Sequence, residues 1–310
     1  MELKTQVVGR IFDIQGFSVH DGPGARSVIF MKGCSLHCFW CSNPEGISFS
    51  KLPMYHAAKC ISCGNCIAAC THQALQLQDD KLKIDRMLCK QCNEQPCVDH
   101  CFTDALRMSG RDVSIEELFK IIQRDRQYWG KDGGITLSGG EPLIQIHFVS
   151  ELLKKCYGAY IHTAIETCGQ VPWEHFEKTI PFIDWIFFDI KHINPANHRA
   201  GTESDNFNII DNIKNLNKSF QGKLVFRMPF VPGFNSGVEN LKGIASLIST
   251  TKWKEINLLP LHHLGKEKYT LLGQDYKGNH YQTPLKQELH GAKAFFEQQE
   301  IRCYIGAETP

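Results

Sequence analysis

Three cysteines in one short loop are the residues whose types and spacing point most directly to chemistry. Cys34, Cys38 and Cys41 supply three thiolates within eight residues, too few to complete a four-iron cluster. One iron of such a cluster would keep an open position, and a metal centre with three protein ligands and an open position is arranged for catalysis. A zinc site completed by His37 or by a more distant histidine is the alternative. The spacing favours the cluster.

A second group of cysteines lies between about residues 48 and 108 and contains an internal repeat. KCISCGNCIAACTHQALQL and LCKQCNEQPCVDHCFTDALRM align cysteine for cysteine if two residues are inserted in the second copy. The spacing is typical of bacterial ferredoxins, in which the fourth cysteine of each run ligates the other cluster. We therefore predict two four-iron clusters, one on Cys60, Cys63, Cys66 and Cys101, the other on Cys89, Cys92, Cys97 and Cys70. Thr71 replaces the usual proline and the second copy has one wider gap, but no ligand is lost; paired zinc ribbons are the alternative.

Composition and charge exclude several classes of protein. The 310 residues are 42% hydrophobic with a formal net charge of +1, so the chain can bury a sizeable core and has no overall field that would attract nucleic acid. It has no run of eighteen apolar residues and no basic start followed by an apolar stretch, so we expect no membrane span and a cytoplasmic location. In a reducing compartment, closely spaced cysteines are cluster or metal ligands more often than disulfides.

Strand and helix patterns alternate along the rest of the chain. Ser114 to Glu117 predicts a capping box ahead of a helix that places Leu118, Ile121 and Ile122 on one face. Six short apolar runs predict strands: RSVIFMKG, GITLSGG, AYIHTAIETCG, DWIFFDIKH, KLVFRMPFVPG and KEINLLPLHH. Segments of helical length lie between them, and this alternation implies a parallel sheet, either closed as a barrel or doubly wound. In such barrels the chemistry gathers at the carboxyl ends of the strands.

Polar residues close several of the predicted strands. Ser138 to Pro142 (SGGEP) follows the second strand and by itself indicates a turn, in which glycine permits close backbone approach. Glu166 and Thr167 close the third strand, and Asp189 and Lys191 close the fourth. Carboxylates at neighbouring strand ends suit a hard cation or sugar hydroxyls; a simple salt bridge is the alternative for Asp189 and Lys191. The three remaining thiols are predicted to be core or near-core residues: Cys156, Cys168 and Cys303.

The cysteine triplet, with Trp40 just before its last member, resembles the signature of the radical S-adenosylmethionine superfamily. The longer segment QGFSVHDGPGARSVIFMKGCSLHCFWCSNPEG resembles the amino-terminal signature of the activating enzymes of glycyl radical enzymes, and the resemblance covers nearly the whole chain. It implies that S-adenosylmethionine chelates the open iron and is cleaved reductively to methionine and a 5′-deoxyadenosyl radical. That radical removes a Cα hydrogen from one glycine of a partner enzyme. The cofactor supplies the difficult chemistry and the protein orients it.

The same resemblance assigns roles to individual residues. Gly139, Gly140 and Glu141 would hold the methionyl amino group, and Lys191 would contact S-adenosylmethionine. Arg227 and His262 fall on positions that bind the cofactor's carboxylate and adenosyl portions, with His263 leaving the register uncertain by one residue. Trp40 would stack on or flank the adenine. Glu166, Thr167 and Asp189 would form a monovalent cation site, and Asp21 would face the incoming glycine loop of the partner.

Together these inferences predict an α/β protein, an incomplete (β/α)6 barrel of residues 1–47 and 109–310 with a ferredoxin-like α+β domain inserted at 48–108. It would bind three [4Fe-4S] clusters and S-adenosylmethionine, act on a glycyl radical enzyme and take electrons from flavodoxin or ferredoxin. YWGKDGGITLSGGEPL, IHTAIETCG and CYIGAETP resemble activating enzymes of arylacetate decarboxylases of the 4-hydroxyphenylacetate type. Activation of choline lyase, glycerol dehydratase, benzylsuccinate synthase or a sulfonate lyase is the alternative. A radical enzyme acting on a small molecule and a non-catalytic electron carrier are the rivals from other classes.

Overall fold

A parallel sheet and the helices that follow its strands make up the larger part of the structure, a computed structural model that describes residues 6–89, 92 and 94–306. The described residues form thirteen strands: β1 (Val8–Ser18), β2 (Arg26–Met31), β3 (Leu52–Tyr55), β4 (Leu75–Gln78), β5 (Lys81–Ile84), β6 (Leu106–Ser109), β7 (Arg111–Ser114), β8 (Gly134–Gly139), β9 (His162–Thr167), β10 (Trp185–Asp189), β11 (Lys223–Phe230), β12 (Glu255–Pro260) and β13 (Arg302–Ile305). They also form eleven α-helices: α1 (Asn65–Ala68), α2 (Arg86–Cys89), α3 (Pro96–Asp99), α4 (Ile115–Asp125), α5 (Ile146–Gly158), α6 (Trp173–Thr179), α7 (Pro195–Thr202), α8 (Phe207–Ser219), α9 (Val238–Ser249), α10 (Lys266–Leu271) and α11 (Lys286–Gln298).

The six strands predicted from the sequence lie side by side in the order β2, β8, β9, β10, β11 and β12. All five pairings between them are parallel. The structure adds a seventh parallel strand, β13, beside β12, and two antiparallel strands, β1 and β7, beyond β2. These three strands were not predicted from the sequence. The strand β13 has only four residues, and the register shifts of β1 against β2 interrupt the alternation that identifies a strand.

Helices cover the sheet where the sequence predicted them. Helix α4 begins after Ser114, whose Oγ accepts a hydrogen bond from the backbone N–H of Glu117 at 3.1 Å, which is one half of the predicted capping box; the carboxylate of Glu117 pairs with Arg111 at 2.6 Å. Its residues Leu118 and Ile122 are buried against the sheet, whereas Ile121 is half-buried. Apolar side chains of the strands and helices form one large core that includes Ile186, Phe188 and Ile244. Most of the stability of these helices therefore comes from packing of one apolar face rather than from intrinsic propensity.

Residues 52–109 form a smaller substructure between β2 and α4. Strand β3 pairs with β6, and β4 pairs with β5, both antiparallel. A separate apolar cluster of Leu75, Leu82, Cys97 and Leu106 lies within it. Part of the second repeat copy, residues 90, 91 and 93, and the last four residues of CYIGAETP lie outside the described residues. Within the described ranges, no helix has both the length and the apolar composition needed to cross a bilayer.

Replacement of Phe188 by alanine should test how far the molecule depends on the core beneath the parallel strands. Phe188 is completely buried on β10, and its ring lies near those of Phe176 and Phe226. A Phe188→Ala variant should lower the free energy of unfolding by about 3–5 kcal/mol, because the cavity left behind cannot fully collapse. Denaturant unfolding under anaerobic conditions measures this. The matched change Phe207→Ala, at a side chain that is 62% exposed, should shift it by less than about 0.5 kcal/mol; equal effects would contradict this account of the core.

Candidate active site

A cavity of about 240 Å³ lies at the carboxyl ends of the six predicted strands. Six neighbouring strands in a flat sheet would span about 24 Å, yet residues at the ends of all six line this one cavity, so the sheet must be strongly curved. Twelve of the residues singled out in the sequence are part of the lining: Cys34, Cys38, Trp40, Cys41, Gly139, Gly140, Glu166, Thr167, Asp189, Lys191, Arg227 and His262. The fold thus brings together residues that lie far apart in sequence.

The cysteine triplet lies in the loop that follows β2. Backbone N–H groups donate to two of its sulfurs, from Leu36 to Cys34 and from Asn43 to Cys41, each at 3.4 Å. Burial raises the pKa of Cys38 and raises that of Cys41 to about 12. Thiolates are the metal-binding form of cysteine, so ionisation of these thiols requires a positively charged group among them. Three neighbouring sulfurs, two of them with backbone N–H donors, fit an iron–sulfur cluster.

The zinc alternative is not supported by the position of His37. This side chain is exposed, and it does not contribute to the cavity that the three cysteines line. Its backbone N–H donates to the carbonyl of Thr202 at 2.8 Å, which fixes the loop against α7. Within the part of the chain that the structure describes, no three His, Cys, Asp or Glu side chains converge on a position for a single metal ion.

Cys168 lines the same cavity, although the sequence predicted only a core or near-core thiol there. The proximity of the two thiols lowers the pKa of Cys34 and raises that of Cys168. Cys168 is 7% exposed, so it is buried as predicted, but at the wall of the site. Its position immediately after the strand-end pair Glu166 and Thr167 was the signal that could have identified it.

Gly139 and Gly140 lie where no larger residue fits. Gly139 has a φ of +106°, and a Cβ atom there would lie 2.5 Å from the backbone N of Met31. A Cβ on Gly140 would lie 2.1 Å from the carbonyl oxygen of Gly33. The close backbone approach predicted for these glycines is therefore made with the end of β2. It holds the turn after β8 directly beside the loop of the cysteine triplet.

Glu141 is completely buried and is not part of the cavity lining. Its carboxylate accepts hydrogen bonds from the hydroxyl of Thr167 and the backbone N–H of Cys168, both at 2.8 Å, and from the N–H of Leu143 at 3.1 Å. Burial raises the pKa of this carboxyl although these donors oppose the effect. Glu141 thus joins the ends of β8 and β9, and its predicted contact with a cofactor stays a prediction.

Four charged side chains form a compact cluster in the cavity. Arg227 is 2.7 Å from Glu166 and 3.2 Å from Asp189, and Lys191 is 2.8 Å from Asp189. Burial would raise the pKa of Asp189, but the two cations outweigh it and lower that pKa; burial raises the pKa of Glu166. The two positive and two negative charges balance. The predicted cation site on Glu166, Thr167 and Asp189 stays a prediction. Both of its carboxylates already form an ion pair with Arg227.

The structure distinguishes between the two neighbouring histidines after β12. His262 lines the cavity, whereas the Nδ1 of His263 is 3.3 Å from the hydroxyl of Tyr276. Burial lowers the pKa of His262, so its imidazole is neutral at neutral pH. Trp40 lines the cavity and also packs against the rings of Phe39 and Phe234, at 4.6 and 5.1 Å between centroids.

Asp21 lies outside the cavity lining, in the loop between β1 and β2. Its carboxylate accepts a hydrogen bond from Ser18, and its carbonyl accepts one from the hydroxyl of Thr136 at 2.7 Å. The buried guanidinium of Arg26 donates to the carbonyl of Pro23 at 2.9 Å and to Thr136 at 2.8 Å. The DGPG loop is thereby held against β8, and the negative charge of Asp21 contributes to the raised pKa of Glu166.

The two predicted cysteine sets of the insert are each brought together. A second cavity, of about 90 Å³, is lined by all four cysteines of the first set: Cys60, Cys63, Cys66 and Cys101. In the second set, burial raises the pKa of Cys97 to about 12, with contributions from Cys70, Cys89 and Cys92 and from Cys66 of the first set. Backbone N–H groups again donate to sulfur, from Ala74 to Cys70 and from Gln95 to Cys92, both at 3.2 Å.

Comparisons with known proteins agree with this arrangement. A family model described as the radical SAM superfamily matches residues 89–242. A 4-hydroxyphenylacetate decarboxylase activating enzyme from Clostridioides difficile is 40% identical over 314 residues, which cover 100% of this chain and 99% of that protein. An isethionate sulfite-lyase activating enzyme from Oleidesulfovibrio alaskensis is 39% identical over 273 residues, which cover 86% and 88%. The solved structure of Streptococcus suis SuiB bound to precursor peptide SuiA matches with a TM-score of 0.54 over 90% of this chain and 48% of that one, at 11% identity, a likeness of fold alone.

The balance of charges in the cavity predicts the effect of removing Arg227. An Arg227→Met variant would leave two carboxylates without their shared partner, so the free energy of unfolding should fall by about 3–5 kcal/mol. Denaturant unfolding at neutral pH measures the loss. The matched control is Arg199→Met, which breaks an ion pair of 2.7 Å with Asp205 at a side chain that is 64% exposed. It should cost less than about 1 kcal/mol, and a loss as large as that of Arg227→Met would contradict the role given to burial.

Proposed function

Since the chain belongs to the radical S-adenosylmethionine superfamily, among the activating enzymes of glycyl radical enzymes, we propose that Cys34, Cys38 and Cys41 hold its catalytic [4Fe-4S] cluster. The observation that carries this proposal is the position of the three buried sulfurs in the cavity that also collects the polar strand ends. When bound, the cluster and S-adenosylmethionine supply the reductive cleavage that yields methionine and a hydrogen-abstracting 5′-deoxyadenosyl radical. The protein substrate is one glycine of the partner enzyme.

The residues of this chain bind and orient the cofactor. Lys191 and Arg227 offer N–H donors to its carboxylate, and a planar guanidinium suits bidentate binding of that group. The turn at Gly139 and Gly140 presents backbone carbonyls to the methionyl amino group, and His262 and Trp40 lie where the adenosyl portion would be held. Apolar residues at the rim limit the access of water to the reacting atoms: Leu36, Leu259 and Leu261.

We further propose that the chain is divided as the sequence indicates, with a barrel of residues 1–47 and 109–310 and an inserted ferredoxin-like domain at 48–108. The pairing of β3 with β6 and the separate apolar cluster of the insert support this division. The grouping of the eight insert cysteines into two sets of four supports two further [4Fe-4S] clusters, three in all. Their proposed role is to relay electrons from flavodoxin or ferredoxin to the catalytic cluster.

The proposed partner is an arylacetate decarboxylase of the 4-hydroxyphenylacetate type. Similarity to an activating enzyme of that type extends over the whole chain. A sulfonate lyase is the second candidate, because the isethionate sulfite-lyase activating enzyme is nearly as similar but over a shorter part of the chain. The DGPG loop, held by Arg26 at the start of β2, is the proposed contact for the glycine-bearing loop of either partner.

Replacement of a triplet cysteine should abolish cleavage of S-adenosylmethionine. In a Cys38→Ala variant the catalytic cluster loses one of three ligands, so no 5′-deoxyadenosine should form, and the iron content should fall from about twelve to about eight atoms per chain. Chromatographic quantification of 5′-deoxyadenosine with dithionite as reductant, and an iron assay, measure both. Cys156→Ala changes a buried thiol outside the cavity and should preserve cleavage. Undiminished cleavage by Cys38→Ala would refute the assignment.

The choice of partner predicts which enzyme acquires a glycyl radical. Incubation of the reduced protein and S-adenosylmethionine with a purified 4-hydroxyphenylacetate decarboxylase should produce the doublet of a glycyl radical in the EPR spectrum. The same decarboxylase with its radical glycine changed to alanine is the control and should show no doublet. A doublet formed on isethionate sulfite-lyase and absent from the decarboxylase would identify the second candidate as the partner instead.

A further inference from the structure

The two cysteine sets of the insert differ in how they meet the barrel. We call Cys60, Cys63, Cys66 and Cys101 the outer site, and Cys70, Cys89, Cys92 and Cys97 the inner site. We propose that electrons enter at the outer site and reach the cysteine triplet through the inner site, and that Arg86 and helix α10 fix this order. This inference rests on the proposed function, because it requires a cluster at each of the three sites.

The outer site faces the solvent. Cys63 is exposed, and two apolar residues of the same cavity are exposed as well, Ile61 by 69% and Phe102 by 85%. Every residue that lines this cavity belongs to the insert, from Tyr55 to Leu106. A one-electron protein donor can therefore approach the outer site without contact with the barrel.

The inner site is more deeply buried and lies against the rest of the molecule. Cys89 and Cys97 are 7% and 6% exposed. Gln95, whose N–H donates to Cys92, also donates from its side chain to the carbonyl of Lys51 at 3.0 Å. Lys51 in turn forms an ion pair of 3.2 Å with Asp112, beside the antiparallel strands β1 and β7 of the large sheet.

Arg86 joins the inner site to the barrel. It is the first residue of α2, the short helix that ends at Cys89. Its guanidinium donates to the carbonyl of Pro53 at 2.6 Å and to that of Leu271, the last residue of α10, at 3.0 Å. A Cβ on Gly273, just beyond α10, would lie 3.0 Å from the same guanidinium, so this contact is closely packed.

Helix α10 continues this connection to the triplet. The hydroxyl of Tyr269 donates to the carbonyl of Cys41 at 3.1 Å. Lys268 is 3.1 Å from the Oδ1 of Asn43 and 2.6 Å from Glu45. Tyr269 and Leu271 are two residues apart, so their Cα atoms are separated by only about 3 Å along the helix axis.

One continuous set of contacts thus runs from Cys89 through α2, Arg86 and α10 to Cys41. The cavity of the outer site, in contrast, is lined by residues of the insert alone. In the proposed sequence one electron leaves the reduced donor, passes the outer and inner sites, and is consumed in the cleavage of S-adenosylmethionine. No bond of the insert changes, and the donor is oxidised by one electron for each cofactor cleaved.

The test uses the full chain reconstituted with iron and sulfide and reduced with dithionite. Two unpaired spins broaden each other's EPR signals when they are close, and the signal of the triplet-bound cluster is identified by its change on addition of S-adenosylmethionine. A Cys92→Ala variant, which perturbs the inner site, should lose the broadening of that signal, whereas Cys63→Ala, which perturbs the outer site, should retain it. The reverse result, or the same change in both variants, would overturn the proposed order.

A second measurement tests the role of Arg86 in electron transfer separately from the presence of the clusters. In an Arg86→Ala variant the iron content and the dithionite-driven cleavage should be unchanged, while reduction of the triplet-bound cluster by a protein donor should be slower. Arg107→Ala is the matched control, because Arg107 is exposed and pairs only locally with Asp104, and it should leave the rate unchanged. If Arg86→Ala loses iron, Arg86→Lys, which keeps the charge but loses the double contact, should show the slower rate. Unchanged donor-driven reduction would overturn the role of Arg86.

Failure of this inference and failure of the proposed function give different results. An iron content of about four atoms per chain in the wild-type protein, with cleavage of S-adenosylmethionine retained, would refute this inference and the two insert clusters but not the catalytic cluster on the triplet. An iron content of about twelve with broadening lost in Cys63→Ala would refute only the order of the two sites.

Discussion

The site depends above all on the register between neighbouring parallel strands. Asp189 lies directly opposite Arg227 across β10 and β11, and Glu166 lies opposite Phe187, which shares the face of Asp189, across β9 and β10. A slip of one residue in either pairing would turn these side chains to the opposite face of the sheet. The apolar residues that alternate with them, such as Phe188, are buried in the large core. The hydrophobic core thus fixes the register, and the register in turn fixes which polar groups meet at the carboxyl ends of the strands.

The second constraint is electrostatic. A cavity lined by buried thiols, two carboxylates, a lysine and an arginine is stable only if the charges balance, because isolated charges are expensive to bury. The pairs around Arg227 and Asp189 provide this balance within the protein itself. In the proposed complex, the carboxylate and the amino group of S-adenosylmethionine would exchange partners with this cluster without adding a net charge, and the sulfonium would add one positive charge. The thiols are different, because burial raises the pKa of Cys38 and Cys41 and favours their neutral forms.

The sequence predicted those features that are encoded locally. The spacing of Cys34, Cys38 and Cys41, and the polar residues after each apolar run, are visible within a few positions, and twelve of the predicted residues line one cavity. Features that depend on distant parts of the chain could not be predicted in this way. The contact between Cys168 and Cys34, and the burial of Glu141 between two strand ends, exist only once β8 and β9 are adjacent. The strand β13 was not predicted because it has only four residues, too few to show an alternating pattern. It is a strand because it pairs with β12.

The position of residues 52–109 explains how the chain can carry a second group of cysteines without disturbing the large sheet. Lys32, directly after β2, is completely buried, and its ammonium donates to the carbonyl of Glu45 at 2.5 Å and to the hydroxyl of Ser109 at 2.9 Å. Leu52 pairs with Ser109, so the chain leaves and re-enters the barrel at neighbouring points. An insertion whose ends are held together in this way adds little strain to the parent fold. Because the triplet loop immediately precedes this junction, the segment that begins there is joined to the wall of the cavity by a short connection.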